Sequence, residues 1–178
     1  MRRHRAILLG AILSMMAFGD SNARAAGRLD LVAFRATVLK QHNVYRAKHG
    51  VPPLVLSNQL NDVAQKHAAQ LARTHQLIHS GKKPYGENLY AANSSNSMPP
   101  RPEAVVDTWY NEIQRYDFNQ PSFRPETGHF TQVVWRASQE LGVGIAQAAD
   151  GTWYVVGNYR PPGNIINQFA TNVLKPTY

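Results

Sequence analysis

Four ionisable side chains lie in surroundings that are typical of functional sites. Glu87 follows a glycine at the start of a possible strand, and Glu112 lies within an apolar helical segment. His129 begins a nearly all-apolar run, and His79 lies where helical periodicity gives way to a loop. If two histidines and two carboxylates converge, they could bind a zinc-like ion with open coordination positions, or act as an acid–base pair on a bound substrate.

Other catalytic chemistries have little support in the sequence. His75 and His79 have the i, i+4 spacing of the zinc-protease motif, but Gln76 stands where that motif requires the glutamate base. The chain has no cysteine, and it contains neither a G-x-S-x-G nucleophile motif nor a phosphate-binding loop. Covalent acyl transfer is therefore disfavoured.

The charge balance argues against a nucleic-acid partner. The 178 residues include 19 Lys and Arg against 11 Asp and Glu. Residues 1–25 hold four of the former and one of the latter, which leaves 15 against 10, a net charge of +5, for residues 26–178. The basic residues are scattered apart from Lys82-Lys83, with no stripe that could follow a phosphate backbone. A solvated surface is favoured over a mild attraction to anionic glycans or lipid head groups.

The N-terminus has the three parts of a secretory signal peptide. Basic residues up to Arg5 precede an apolar run over 7–18, and Ala23-Arg24-Ala25 fits the cleavage pattern. The alternatives are an ordinary helix or a membrane anchor, although the run is shorter than the roughly 20 residues of a spanning helix. We therefore predict a signal peptide at 1–25 and one domain at 26–178. The protein would be secreted and extracellular, or periplasmic in a Gram-negative bacterium, with no transmembrane segment after cleavage.

Periodicity predicts helices packed against a small antiparallel sheet, an α+β domain. Asp30 can cap a helix that runs to about His49, and Ser57 can cap a second one. A third helix is predicted from about Glu103 to Tyr116. The sequence predicts a polar loop at residues 93–97. It also predicts a β-hairpin formed by segments 141–148 and 152–159. Without disulfides, stability must come from packing.

Four short segments resemble, in order and spacing, the motifs of the CAP superfamily, which includes cysteine-rich secretory proteins, venom antigens and plant pathogenesis-related proteins. The segments are G-H-F-T-Q-V-V-W-R-A-S at 128–138, G-N-Y-R-P-P-G-N-I at 157–165, G-E-N-L at 86–89 and H-N-V-Y-R at 42–46. In lacking cysteine, the chain resembles the Golgi-associated and bacterial members of the superfamily. The disulfide-tied loops and cysteine-rich C-terminal extensions of other members are therefore not expected here.

The resemblance implies an α–β–α sandwich and a cleft shared by His79, Glu87, Glu112 and His129. It also implies that the two histidines act as occasional ligands of a divalent metal such as zinc. His79 is placed by its position before the G-E-N segment rather than by a motif of its own. The structural alternatives are carboxylates that cap loops and a buried histidine satisfied by backbone. Asn43 and Arg46 are expected to tie the first helix to its neighbours.

Two classes of function follow. The first is a binding module for a lipid, sterol, glycan or partner protein. The second is a metal-assisted hydrolase, such as a peptidase, in which His79 and His129 hold the metal and Glu87 or Glu112 activates water. Binding is favoured because the resemblance brings no settled reaction and no identifiable nucleophile.

Overall fold

The computed structural model describes residues 29–81, 84–93 and 98–177. The proposed signal peptide, residues 1–25, lies outside them, as does most of the polar loop. The helices are α1 (Leu31–Lys48), α2 (Asn58–Thr74), α3 (Pro102–Tyr110), α4 (Gly128–Val133) and α5 (Phe169–Asn172). The strands are β1 (Val55–Leu56), β2 (Gly86–Asn93), β3 (Glu140–Gln147) and β4 (Thr152–Arg160), and 3₁₀ turns cover Asn111–Arg115 and Pro125–Thr127.

The four strands form one sheet in the order β1-β3-β4-β2. Strand β1 is parallel to β3, and the other two pairings are antiparallel. The predicted hairpin is confirmed as β3 and β4: β3 has the predicted length but begins one residue earlier, and β4 extends one residue further than the sequence indicated. Strand β2 lies at the edge and pairs with β4 from Gly86 to Asn93, which fixes the position of Glu87 opposite Asn158.

Helices cover both faces of the sheet. One apolar cluster joins α1, α3 and α4 to one face, and it includes Phe34, Trp109 and Trp135. A smaller cluster, including Ala64 and Leu71, joins α2 to the opposite face. The predicted α+β domain with an α–β–α arrangement is confirmed.

Local signals define the first two helices. The Asp30 carboxylate accepts hydrogen bonds from two backbone N–H groups in the first turn of α1, and Ser57 caps α2. Helix α1 ends before Gly50, whose φ of 62° suits glycine. The expected ties of α1 are also present: the Asn43 amide exchanges two hydrogen bonds with the backbone of Leu54.

The third helix is shorter than expected. The α-helix ends at Tyr110, and the chain continues as a 3₁₀ turn through Arg115, so the prediction of a continuous helix to Tyr116 was wrong. The carboxylate of Glu112 accepts hydrogen bonds from the backbone N–H groups of His129 and Phe130. Contacts with residues 129 and 130 therefore hold the 3₁₀ turn in place. The helical periodicity of the sequence could not predict these contacts.

Within the described ranges, no helix has both the length and the apolar character needed to cross a bilayer.

Candidate functional site

The first histidine–carboxylate pair joins the end of α2 to the start of β2. His75, with φ 54°, ends α2 in the left-handed conformation and turns the chain back toward the sheet. The His79 Nδ1 then lies 2.9 Å from Glu87 Oε1, which also accepts from the backbone N–H of Ser80 at 2.8 Å. The Glu87 side chain is only 8% exposed, whereas that of His79 is 63% exposed. A buried carboxylate thus orients an accessible imidazole.

The electrostatics of this pair favour its charged form. Burial alone would raise the pKa of Glu87, but hydrogen bonds from His79 and Ser80, with nearby His67, lower it to about 2. The hydrogen bond to Glu87 raises the pKa of His79, against the opposing effect of burial. The carboxylate is therefore ionised across the physiological range.

The second pair joins the 3₁₀ turn after α3 to the start of α4. Glu112 Oε1 lies 2.7 Å from His129 Nδ1. Its Oε2 accepts from the backbone N–H groups of His129 at 2.9 Å and Phe130 at 3.1 Å. The Trp109 indole faces the imidazole at an interplanar angle of 21°, with ring centroids 6.4 Å apart. Side-chain and backbone contacts therefore fix the orientation of His129.

Both pairs meet at one cleft of about 300 Å³. His79, Glu87 and His129 line it directly, and Glu112 supports His129 from behind. The half-exposed ring of Phe123 forms part of one wall. Asn164 lines the same cleft and donates to the carbonyl of Gly128. The structure thus brings together all four residues that the sequence singled out.

A directed hydrogen-bond chain lies beneath the cleft. His42 Nδ1 lies 2.8 Å from the Val38 carbonyl, which only accepts, so Nδ1 carries the proton and Nε2 accepts from the Tyr159 hydroxyl at 2.8 Å. The Tyr159 oxygen in turn accepts from Asn88 Nδ2 at 3.2 Å, and the same amide donates to the His129 carbonyl at 3.1 Å. The chain links α1 to the cleft through buried side chains and fixes which way the Asn88 amide faces.

This buried hydrogen-bond chain should make the stability of the protein depend on pH. Burial lowers the pKa of His42 to about 4, whereas an unfolded histidine titrates near 6.5. Between those values the unfolded chain takes up a proton that the folded chain does not. Stability should therefore fall as the pH drops from about 6.5 to about 4, by roughly 3 kcal/mol from this group.

Urea unfolding of the wild type and His42→Gln at several pH values measures this contribution. Glutamine can still accept a hydrogen bond from Tyr159 but does not titrate, so the variant's stability should depend less on pH than that of the wild type between about pH 6.5 and about pH 4. Parallel curves for the two proteins over that range would contradict the assignment.

Sequence reasoning missed two contributors to the site. Asn88 was noted only as part of the G-E-N segment, although it lines the cleft. His67 is buried on α2, and its Nε2 lies 3.0 Å from the Ile78 carbonyl and 3.9 Å from Glu87 Oε1. A polar residue on an otherwise apolar helix face was the available signal for His67.

The donor set suits a divalent ion in part. Each Nδ1 is paired with a carboxylate, an arrangement that leaves Nε2 as the ligand atom and is typical of metal-binding histidines. Among the described residues, however, no group of three or more His, Cys, Asp or Glu side chains is arranged to hold a metal. Within the described ranges, His79 and His129 are the candidate protein ligands, and the remaining coordination positions would be open.

The three-layer fold and the paired histidine–carboxylate cleft define a recognisable class, and comparison with known proteins gives the family. The profile of the CAP, or cysteine-rich secretory protein, family matches residues 39–159, and the chain belongs to that family. It is 46% identical over 148 residues to human Golgi-associated plant pathogenesis-related protein 1, covering 80% of this chain and 94% of that protein.

Solved structures share the fold. The structure of BmVAL-1 aligns with a TM-score of 0.68 at 24% identity, covering 84% of this chain and 86% of that one. The crystal structure of NaASP2 with Zn²⁺ aligns with a TM-score of 0.64 at 22% identity, covering 85% of this chain and 91% of that one. At these identities the likeness establishes the architecture only.

Proposed function

We propose that this CAP domain is a secreted binding module whose ligand lies in the cleft of His79, Glu87, Glu112 and His129. The candidate ligand classes are a lipid, a sterol, a glycan or a partner protein. The support for secretion is the sequence pattern of residues 1–25.

One observation favours binding over catalysis: all four carboxylate oxygens are already engaged. Glu87 Oε1 accepts from His79 and Ser80, and its Oε2 lies 3.4 Å from the Asn158 amide. Both oxygens of Glu112 accept hydrogen bonds from the His129 and Phe130 segment. A general base needs an oxygen directed at its substrate or at a water. Carboxylates that instead hold imidazoles in place suit a preformed binding surface.

The ligand class can be tested on protein recovered from its secreted form. Solvent extraction followed by mass spectrometry should detect a co-purified lipid or sterol if that is the ligand. Its loss in His129→Ala would assign it to the cleft, and its retention there would place it elsewhere on the protein.

The second candidate, a metal-assisted hydrolase, is favoured by the pairing of each Nδ1 with a carboxylate. A bound zinc ion would supply Lewis-acid chemistry, and His79 and His129 would hold it. NaASP2, which shares the fold, has been crystallised with Zn²⁺. The hydrolase must turn over a peptide or ester substrate. At a zinc concentration that saturates every variant, turnover must fall by orders of magnitude when Glu87 or Glu112 is changed.

The metal hypothesis predicts how zinc affinity changes in four single variants and with pH. His79→Ala or His129→Ala should nearly abolish zinc binding. Glu87→Gln or Glu112→Gln should weaken it by about 10–100-fold, because those carboxylates orient the ligands. Affinity should also fall on acidification, since protons compete for the imidazole lone pairs. Calorimetric titration of zinc measures each effect.

His75→Ala is the matched control, because His75 is an exposed histidine that pairs with Asp150 and does not line the cleft. It should bind zinc as the wild type does. Equal affinity in the wild type and His129→Ala would remove the metal hypothesis.

A further inference from the structure

The outer side of β3 continues beyond the point where its neighbour β1 ends. The Leu141 carbonyl faces β1 and accepts from the Ser57 N–H at 2.9 Å. The N–H and C=O groups of Val143 and Ile145 face the same side, because the direction alternates with every residue of a strand. Strand β1 ends at Leu56, so within the described residues no strand pairs with these four groups, which form the β3 edge.

Side chains from two helices bind all four groups of the β3 edge. The Val143 N–H donates to Asn61 Oδ1 at 2.8 Å, and the Val143 carbonyl accepts from Arg35 Nε at 2.8 Å. The Gln65 amide makes both contacts with Ile145: its Oε1 accepts from the N–H at 3.3 Å, and its Nε2 donates to the carbonyl at 2.8 Å. Asn61 and Gln65 belong to α2, and Arg35 belongs to α1, so the edge is covered from both faces of the sheet.

The spacing of the two amides on α2 matches the spacing of the groups that they cover. Four residues of an α-helix rise about 6 Å, and two residues of a strand rise about 6.7 Å. Asn61 and Gln65 therefore follow Val143 and Ile145 in register. The glycines on either side of Val143 allow this approach, since a Cβ at either position would overlap the backbone of α2. Each side-chain amide thus takes the place of a peptide group in a neighbouring strand.

The same arrangement covers the backbone just before β1. The Val55 N–H donates to the Gln139 carbonyl and so faces β3, which directs the preceding Leu54 outward. The Asn43 amide of α1 exchanges two hydrogen bonds with Leu54, at 2.8 and 3.0 Å. Helix side chains therefore cover outward-facing backbone groups of both strands at this side of the sheet.

We propose that Arg35, Asn61 and Gln65 cover a strand-pairing surface on β3 that would otherwise join two copies of this chain edge to edge. Unpaired N–H and C=O groups on an edge strand are a template for pairing with another chain. A second copy fits because the edge is self-complementary. In an antiparallel arrangement about a two-fold axis, Val143 of each copy faces Ile145 of the other, and the two copies exchange four hydrogen bonds.

The covering side chains prevent this pairing because they belong to the same chain. Their hydrogen bonds to β3 form with folding, whereas a second copy must displace them and also lose its translational freedom. Replacement of Gln65 removes this competitor and leaves the N–H and C=O groups of Ile145 to water or to another strand. None of the three side chains lines the cleft, so the inference is independent of the ligand that the cleft binds.

Sedimentation equilibrium of the folded proteins tests the inference. Gln65→Leu keeps nearly the same side-chain size but removes both hydrogen bonds to Ile145. Its self-association constant should exceed that of the wild type by at least about tenfold. The double variant Asn61→Leu/Gln65→Leu also uncovers the Val143 N–H and should associate more strongly still. Circular dichroism on the same samples establishes that each variant is folded.

Two control variants separate an uncovered edge from a general loss of stability. Gln65→Glu can still accept from the Ile145 N–H but cannot donate to its carbonyl, and it places a charge at the edge. Because charged side chains on an edge oppose strand pairing, this variant should be less stable than the wild type but should associate no more strongly. Gln70→Leu makes the same replacement as Gln65→Leu at an exposed position of α2, and it should also behave as the wild type does.

Hydrogen exchange measured by NMR then locates the contact. In Gln65→Leu, the Ile145 amide should be protected at high protein concentration and should lose protection on dilution. In the wild type, its protection should not depend on concentration, because Gln65 supplies the hydrogen bond within one chain. If neither leucine variant folds, the wild type still decides the question. An Ile145 amide that exchanges there as fast as an unstructured one would show that Gln65 does not cover the edge.

Three results with folded variants would overturn the inference. The first is a Gln65→Leu protein, or the double variant, that associates no more strongly than the wild type. The second is equal association of Gln65→Leu and Gln65→Glu, which would trace the association to lost stability. The third is association without any change in the exchange of Ile145, which would place the contact elsewhere on the surface.

Discussion

Replacement of Arg46 by methionine is expected to abolish folding or to remove most of the stability. The guanidinium is fully buried and donates to four backbone carbonyls, those of Pro52, Val133, Trp135 and Ser138, at 2.8–3.0 Å. Burial lowers its pKa to about 10, so it remains charged near neutrality. A hydrogen bond to a charged group contributes about 1.5–3 kcal/mol. The loss of four should approach the whole free energy of unfolding, about 5–15 kcal/mol.

Two further variants make the Arg46 prediction specific. Lysine has three donors on a single atom and cannot reach four carbonyls that surround a planar fork, so Arg46→Lys should recover only part of the loss. Arg35 donates one hydrogen bond, from Nε to the Val143 carbonyl at 2.8 Å, and is half-buried. Arg35→Met should therefore cost only about 1 kcal/mol. Urea unfolding measures all three, and an Arg46→Met protein within about 1 kcal/mol of the wild type would mean that water replaces the guanidinium.

The comparison of Arg46 with Asp30 shows which parts of the fold could be predicted from sequence. Asp30 and Ser57 cap the helices that they precede, and their partners lie two or three residues away, so a short pattern contains the whole interaction. Arg46 makes its contacts 6 to 92 residues away. The sequence indicated only that Arg46 ties α1 to its neighbours, because the carbonyls that receive its hydrogen bonds belong to segments that no local pattern joins to it.

The candidate site divides in the same way. Glu87, Glu112 and His129 stood out because ionisable residues in apolar or glycine-marked segments are unusual. That they meet His79 at one cleft came from the resemblance to the CAP family, because composition and periodicity contain no tertiary distances. Neither the sequence pattern nor the family resemblance indicated that Asn88 lines the cleft. The orientation of its amide depends on the direction of a hydrogen-bond chain that begins in α1.

Gly144→Ala is expected to displace α2 from the sheet at a cost of at least about 3 kcal/mol, the upper end of the usual range for overpacking. A Cβ at position 144 would overlap the backbone of Ala64 and Gln65, and one at Gly142 would overlap Leu60. Backbone atoms of a packed helix cannot rotate away as a side chain can. Neither glycine has a positive φ, so the whole penalty is steric, and alanine would by itself slightly favour folding through the unfolded chain.

The matched control for Gly144→Ala is Gly157→Ala, on the opposite face of the sheet. A Cβ there would lie 3.3 Å from the Tyr159 hydroxyl and 3.4 Å from the Trp109 ring, side-chain atoms that can give way by a few tenths of an ångström. We expect Gly157→Ala to cost less than about 1.5 kcal/mol. If the cleft binds zinc as proposed, Gly144→Ala should also weaken that binding, because α2 carries His67 and leads into His79. Equal unfolding free energies for the two variants would contradict this argument. They would mean that the close packing of α2 against β3 does not require a glycine at position 144.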